Sequence, residues 1–128
     1  MAKNRAPRPV LSPAASQDVR DALRWSLRKF GAAAAARYGV LLKQAVRNVG
    51  GDPEQPGSMQ RPEIMVEGAR AYHISLSRAR VSGIRVKDPR HFLLYRRRED
   101  GVIEVARVLH DGRDLARHLP EGYRRIGN

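Results

Sequence analysis

From Pro13 to Phe30, apolar or small residues recur at three- and four-residue steps: Ala15, Val19, Ala22, Leu23, Ser26 and Phe30. Asp18, Arg20, Asp21, Arg24 and Arg28 fall on the other side. That pattern predicts an amphipathic helix with one buried stripe. Ser12 can cap its free N–H groups, and Pro13 suits the first helical position, where a missing N–H costs nothing. Gly31 ends it. A second helix is predicted over residues 32–48, where the alanine run favours helix. Its stripe is Tyr38, Leu41, Leu42, Ala45, Val46 and Val49, with Arg37, Lys43 and Arg47 outside. The sequence NVGGDP stops it. The short link at Gly31 makes the pair an antiparallel hairpin.

The period then changes. Residues 69–77 (ARAYHISLS) alternate, which predicts a half-buried strand. Residues 90–98 and 102–109 are apolar on both faces, as in central strands covered on both sides. On the first of these, Phe92 and Leu94 point one way and His91, Leu93 and Tyr95 the other, with Phe92 expected in the core. Asp100-Gly101 between the two strands is a two-residue hairpin signal. Pro9-Val10-Leu11 fits a short edge strand, where proline is tolerated. Residues 52–62 read as a loop, 78–89 as a basic loop in which Val81, Ile84 and Val86 could prolong a hairpin, and 114–119 as a short helical turn. The predicted fold is α+β: a short N-terminal strand, a helix hairpin and a three-stranded antiparallel meander. The helices should cover one sheet face; the other needs a partner or forms a groove. A flexible basic tail (1–8), one domain (9–120) and a C-terminal tail (121–128) are expected.

Charge narrows the partners. The 128 residues carry a net charge of +12, a field that attracts nucleic acid, anionic lipid or an acidic protein. Nine of the lysines and arginines lie between Arg70 and Arg98, against the single acid Asp88. This is an anion-binding surface or the solvated face of a basic protein. The absence of cysteine excludes a disulfide scaffold, a thiolate zinc site and a cysteine nucleophile. His73, His91, His110 and His118 show no zinc-ligand spacing, and no glycine-rich phosphate loop is present, so neither metal nor cofactor is expected. No run approaches a membrane span, and MAKNRAPRPV lacks the apolar core of a signal peptide. A soluble cytoplasmic protein is expected.

Candidate site residues are few. His110 with Asp111 and Asp114 could form a general base oriented by a carboxylate. The plainer alternative is a strand-end histidine bonded to backbone, with an aspartate capping the helical turn. Arg107 interrupts an apolar row on the face of Ile103. It either grips an anionic partner or pairs internally with Glu104, Asp114 or a helix end. Trp25 on the first helix reads as packing or partner contact.

The segments LSPAASQDVRDALRWSLRKFG, ARYGVLLKQAV, GARAYHISLSR, RHFLLYR and GVIEVARVLHDGRDLARHL, in this order, resemble the RelE/ParE superfamily of bacterial type II toxins. Within it they resemble the ParE-like, plasmid-stabilisation branch. The resemblance implies the same strand, helix hairpin and small sheet. It implies a toxin that poisons DNA gyrase by binding and is neutralised by a small acidic antitoxin; the candidate partner-binding residues of this chain are Trp25, Arg90, Arg96 and Arg107. RelE-like members instead cut mRNA in the ribosome. Under that alternative Arg90, Arg96 and Arg107 would supply charge and His110 proton transfer. No tyrosine follows the last strand until Tyr123, which favours the non-nuclease branch. A degenerate toxin that only binds its antitoxin is the third reading.

Overall fold

The computed structural model describes residues 8–125. A two-residue strand, β1 (Val10–Leu11), leads into helices α1 (Pro13–Phe30) and α2 (Ala32–Gly51). Strands β2 (Arg70–His73), β3 (His91–Arg97) and β4 (Ile103–His110) follow. The sheet order is β1-β4-β3-β2, with β1 parallel to β4 and the other pairs antiparallel. This is the expected α+β arrangement, with the N-terminal strand on the edge of the meander.

The helices pack on one sheet face. Tyr38, Leu41, Leu42, Ala45 and Val49 of α2 meet Leu93, Tyr95, Val105 and Val108 in the main core. Ser12 joins helix to sheet. Its hydroxyl accepts the Ala15 N–H at 3.0 Å and donates to the Ala106 carbonyl at 2.7 Å. The cap alone is worth about 1 kcal/mol. The opposite sheet face, expected to await a partner, is partly covered by the chain itself. Met65, Ala69, Leu119 and Tyr123 pack there on Leu94 and Ala106. The segment read as a C-terminal tail is thus packed as far as Arg125, whose N–H donates to the Ile64 carbonyl at 2.9 Å. Of the expected N-terminal tail only Arg8 is described, and residues 126–128 also lie outside the described residues.

Four local expectations need correction. The strand predicted over 69–77 ends at His73, and residues Ile74–Arg80 form a 3-10 helix. His73 turns the chain by accepting the Ser75 N–H on its own ring Nδ1. Ser77 is then buried, bonded to the Tyr72 hydroxyl and to Asn48, while Leu76 is exposed. Val81, Ile84 and Val86 add no strand, so no tight hairpin joins β2 to β3. The β3–β4 connection is a three-residue loop rather than a two-residue turn. Arg98 N–H bonds the Val102 carbonyl, Gly101 N–H bonds the Arg98 carbonyl, and Gly101 has φ +87°. That is the geometry of a type I turn closed by a left-handed residue. Phe92, expected in the core, is only half-buried.

Helix α2 also runs past its predicted end to Gly51. Gly50 is buried, and a Cβ added there would lie 2.6 Å from Cγ of Pro9. The bare glycine lets β1 approach the helix. Gly50→Ala should therefore destabilise the protein by about 1–3 kcal/mol through overpacking. Urea unfolding measures this; an unchanged or raised midpoint would show that the approach is not tight.

Candidate functional site

Strand β1 is too short to cover all of β4, so the edge from Ala106 onward faces α1 instead of a strand. A bulge falls here: Tyr95 pairs with Val105 and Leu94 with Arg107, leaving Ala106 as the extra residue. The bulge shifts the strand's phase, so Arg107 is in register with Leu94 rather than on the face of Ile103. Its guanidinium meets Asp18 of α1, donating from Nε to Oδ2 at 2.7 Å and from Nη2 to Oδ1 at 3.0 Å. The Val108 N–H donates to the same Oδ2 at 2.9 Å. Asp18 is only 13% exposed, so this is not a surface ion pair. The hydrogen bond to Asp18 raises the Arg107 pKa above its ordinary value. The residue predicted to lie on the solvent side of α1 is therefore its main polar contact with the sheet.

Further along the same helix face stands Trp25. Its ring meets those of Phe30, Tyr38, His91 and His110 edge to face, with centroids 5.7–6.0 Å apart. Such pairs add about 0.5–1.5 kcal/mol beyond burial. Beneath it runs a short relay. The Arg90 N–H donates to the Tyr38 hydroxyl at 2.9 Å, and that hydroxyl lies 2.6 Å from His91 Nδ1. Having accepted from the amide, the phenol can donate to the histidine, so a neutral His91 holds its proton on Nε2. Burial depresses the His91 pKa to about 4, with the neighbouring His110 adding to the shift. Burial pushes Tyr38 up to about 12.

Trp25, Arg107 and His110 line one hollow of about 440 Å³, together with Asp18, His91 and Arg113. His110 ends β4; its Nδ1 accepts the Gly112 N–H at 3.0 Å, and Asp111 Oδ1 is 3.8 Å away. Asp111 itself holds Arg90 at 3.1 Å and His73 at 3.0 Å. Burial alone would raise its pKa, but the His73 hydrogen bond and the Arg90 charge outweigh this and lower it. Asp114 caps the short helical turn by accepting the Ala116 N–H. Arg90 is thus tied to Asp111, the residue that follows His110, and does not itself line the hollow. Arg96 does not reach it. It lies five residues further along β3 than His91, about 16 Å at strand rise. There it donates to the Gly122 carbonyl at 2.8 Å and stacks 4.5 Å over the Tyr123 ring. Tyr123 is buried under it, and burial raises its pKa well above that of a free phenol.

Tyr38, His91 and Asp18 are site residues that pattern reading missed. The first two were visible as a tyrosine and a histidine on core-facing stripes, where each polar atom needs a partner. Among the described residues, no group of three or more His, Cys, Asp or Glu is placed to hold a metal ion.

The buried neutral His91 fixes a pH dependence. Unfolded, it protonates near 6.5; folded, near 4. Above 6.5 its neutral form costs nothing in either state. As pH falls towards 4 the unfolded chain binds the extra proton, so stability falls, by on the order of 3 kcal/mol when complete. Urea unfolding between these pH values should show that loss in the native chain and not in His91→Gln. Equal slopes in the two proteins would contradict the assignment.

The geometry, a helix hairpin over a small sheet with arginines tied into the scaffold, agrees with the comparison with known families. Residues 10–115 match the family model described as "ParE toxin of type II toxin-antitoxin system, parDE". A search of curated proteins gives no match. Since the match spans most of the chain and runs from β1 through the whole sheet, the chain belongs to the ParE family of type II toxins.

Proposed function

We propose that this toxin acts by binding rather than by chemistry of its own, that its target is DNA gyrase, and that an acidic, ParD-like antitoxin neutralises it in the cytoplasm. The observation that carries this reading is the commitment of the residues a nuclease would need. Arg107 is held by Asp18, Arg96 by Gly122 and Tyr123, and the His110 Nδ1 by a backbone N–H. A ribonuclease would need these three on one phosphate, yet the Arg96 guanidinium is turned to Gly122 and Tyr123 while that of Arg107 is turned to Asp18. Tyr123, the one tyrosine beyond the last strand, is buried with a raised pKa and so is poorly placed for proton transfer.

What remains suits recognition. A half-buried tryptophan is flanked by histidines and by arginines already paired with Asp18 and Asp111. A partner carboxylate can share those arginines without leaving a bare buried charge. The net charge of +12 favours fast encounter with an acidic antitoxin. Trp25, Arg90, Arg96 and Arg107 remain the proposed partner contacts, Arg96 outside the hollow that Trp25 and Arg107 line.

Purified toxin should inhibit gyrase-catalysed supercoiling at low molar excess, and the antitoxin should relieve the inhibition. Ribosome-bound mRNA should stay intact. Normal supercoiling with mRNA cleavage that is lost in His110→Ala would establish the ribonuclease reading instead. Normal growth on induction without antitoxin would identify a degenerate toxin.

A further inference from the structure

Where β2 gives way to the 3-10 helix, three side chains outside the Trp25 hollow stand in a row. The Ser75 hydroxyl lies 2.7 Å from Nδ1 of His73, and Nε2 of the same ring lies 3.0 Å from Oδ2 of Asp111. The backbone settles where the protons are. The Ser75 N–H donates to Nδ1 at 3.2 Å, so that nitrogen carries a lone pair and the neutral ring holds its proton on Nε2. Nε2–H therefore donates to the Asp111 carboxylate, and the Ser75 hydroxyl donates to Nδ1. Arg90 fixes the carboxylate from its other oxygen, donating to Oδ1 at 3.1 Å. Turning the chain needs only the bond from the Ser75 N–H to the ring. Asp111 comes from beyond the end of β4, 38 residues away in sequence, and the turn does not require it.

A hydroxyl, an imidazole and a carboxylate bonded in that order form the arrangement that activates a serine. The ring takes the proton as the oxygen attacks, and the carboxylate holds the ring and stabilises the imidazolium. Ser75 is exposed, so a reagent can reach it. His73 and Asp111 border a hollow of about 370 Å³ whose apolar lining includes Met59, Phe92 and Leu115. Arg113 lines it too and brings a cation to the side where charge develops on a carbonyl oxygen. We propose that Ser75 is a nucleophile activated by His73 and Asp111, and that it takes the acyl group of an ester or thioester of a short apolar acid. The Ser75 oxygen bonds to the carbonyl carbon while its proton passes to Nδ1 of His73. The alcohol or thiol then leaves with that proton, and an ester remains on Ser75. Water, giving its proton to the same nitrogen, releases the carboxylic acid and restores the serine. This chemistry is separate from the toxin's action on its target and does not depend on that target being gyrase.

A fluorophosphonate probe on the full chain tests this, because it bonds through phosphorus to an activated serine and loses fluoride. Peptide masses should place the label on Ser75 and not on Ser82, which is also exposed. Ser75→Ala should abolish labelling; it keeps the N–H that bonds His73, and so the turn. Labelling should slow at least about tenfold in Asp111→Asn, which keeps the size of the side chain but not its charge. The chain has no cysteine, so Ser75→Cys places a single thiol beside the ring. Near neutral pH iodoacetamide should alkylate that thiol at least about tenfold faster than free cysteine, and at the free rate once His73→Gln is added. Labelling of Ser75 no faster than of Ser82, or equally fast in Asp111→Asn, would overturn the proposal. So would a thiol that alkylates like free cysteine, since His73 and Asp111 would then be only a cap and its brace.

Discussion

The carboxylate of Asp18 is the contact on which the arrangement of helix and sheet depends. Strand β4 outruns its short neighbour β1, so its second half is an open edge. An unpaired edge N–H must find an acceptor or stay in water. Asp18 supplies that acceptor to Val108 and also neutralises Arg107, fixing α1 along the edge by three hydrogen bonds. Positions seven residues apart share a helix face. Ala22 and Trp25 are therefore brought over the sheet by the same placement, and Trp25 arrives on His91 and His110.

The character of the surface follows. The relay from Arg90 through Tyr38 to His91 satisfies the polar atoms beneath Trp25 without any charge. Two of the cations near it are paired, Arg107 with Asp18 and Arg90 with Asp111, and Arg113 also lines the hollow. The paired cations are stable without a ligand, and each can exchange one carboxylate for another when a partner arrives. A catalytic site would instead keep a base or a cation free at the reacting atoms. These paired groups support the proposed reading of a toxin that works by occupying its target.

Most elements were legible because their periods are clean. The stripes of α1 and α2, the Ser12 cap, the short edge strand and the two-sided strands β3 and β4 follow from the sequence pattern. Asp18 was not legible, because a charge on an amphipathic helix reads as solvent-facing until the open strand edge is known. The Ala106 bulge hid the phase of Arg107 for a related reason: periodicity assumes an unbroken ladder. The strand read to Ser77 fails at His73, where a side chain bonds the chain's own backbone and outcompetes extension. The second sheet face was misread because Leu119 and Tyr123, near the chain's end, cover it from far along the sequence. Of the candidate residues, Trp25, Arg107 and His110 share a hollow, while Arg96 belongs to the C-terminal packing.

The most direct test of this account is a double-mutant cycle on Asp18→Ala and Arg107→Ala, measured by urea unfolding. A half-buried, charge-assisted contact predicts a coupling energy of about 1.5–3 kcal/mol. The Asp18→Ala single variant should lose more stability than Arg107→Ala, because it also strands the Val108 N–H. A coupling below about 0.5 kcal/mol, as for an exposed ion pair, would contradict the account, because α1 and its tryptophan would then be held by apolar packing and the Ser12 cap.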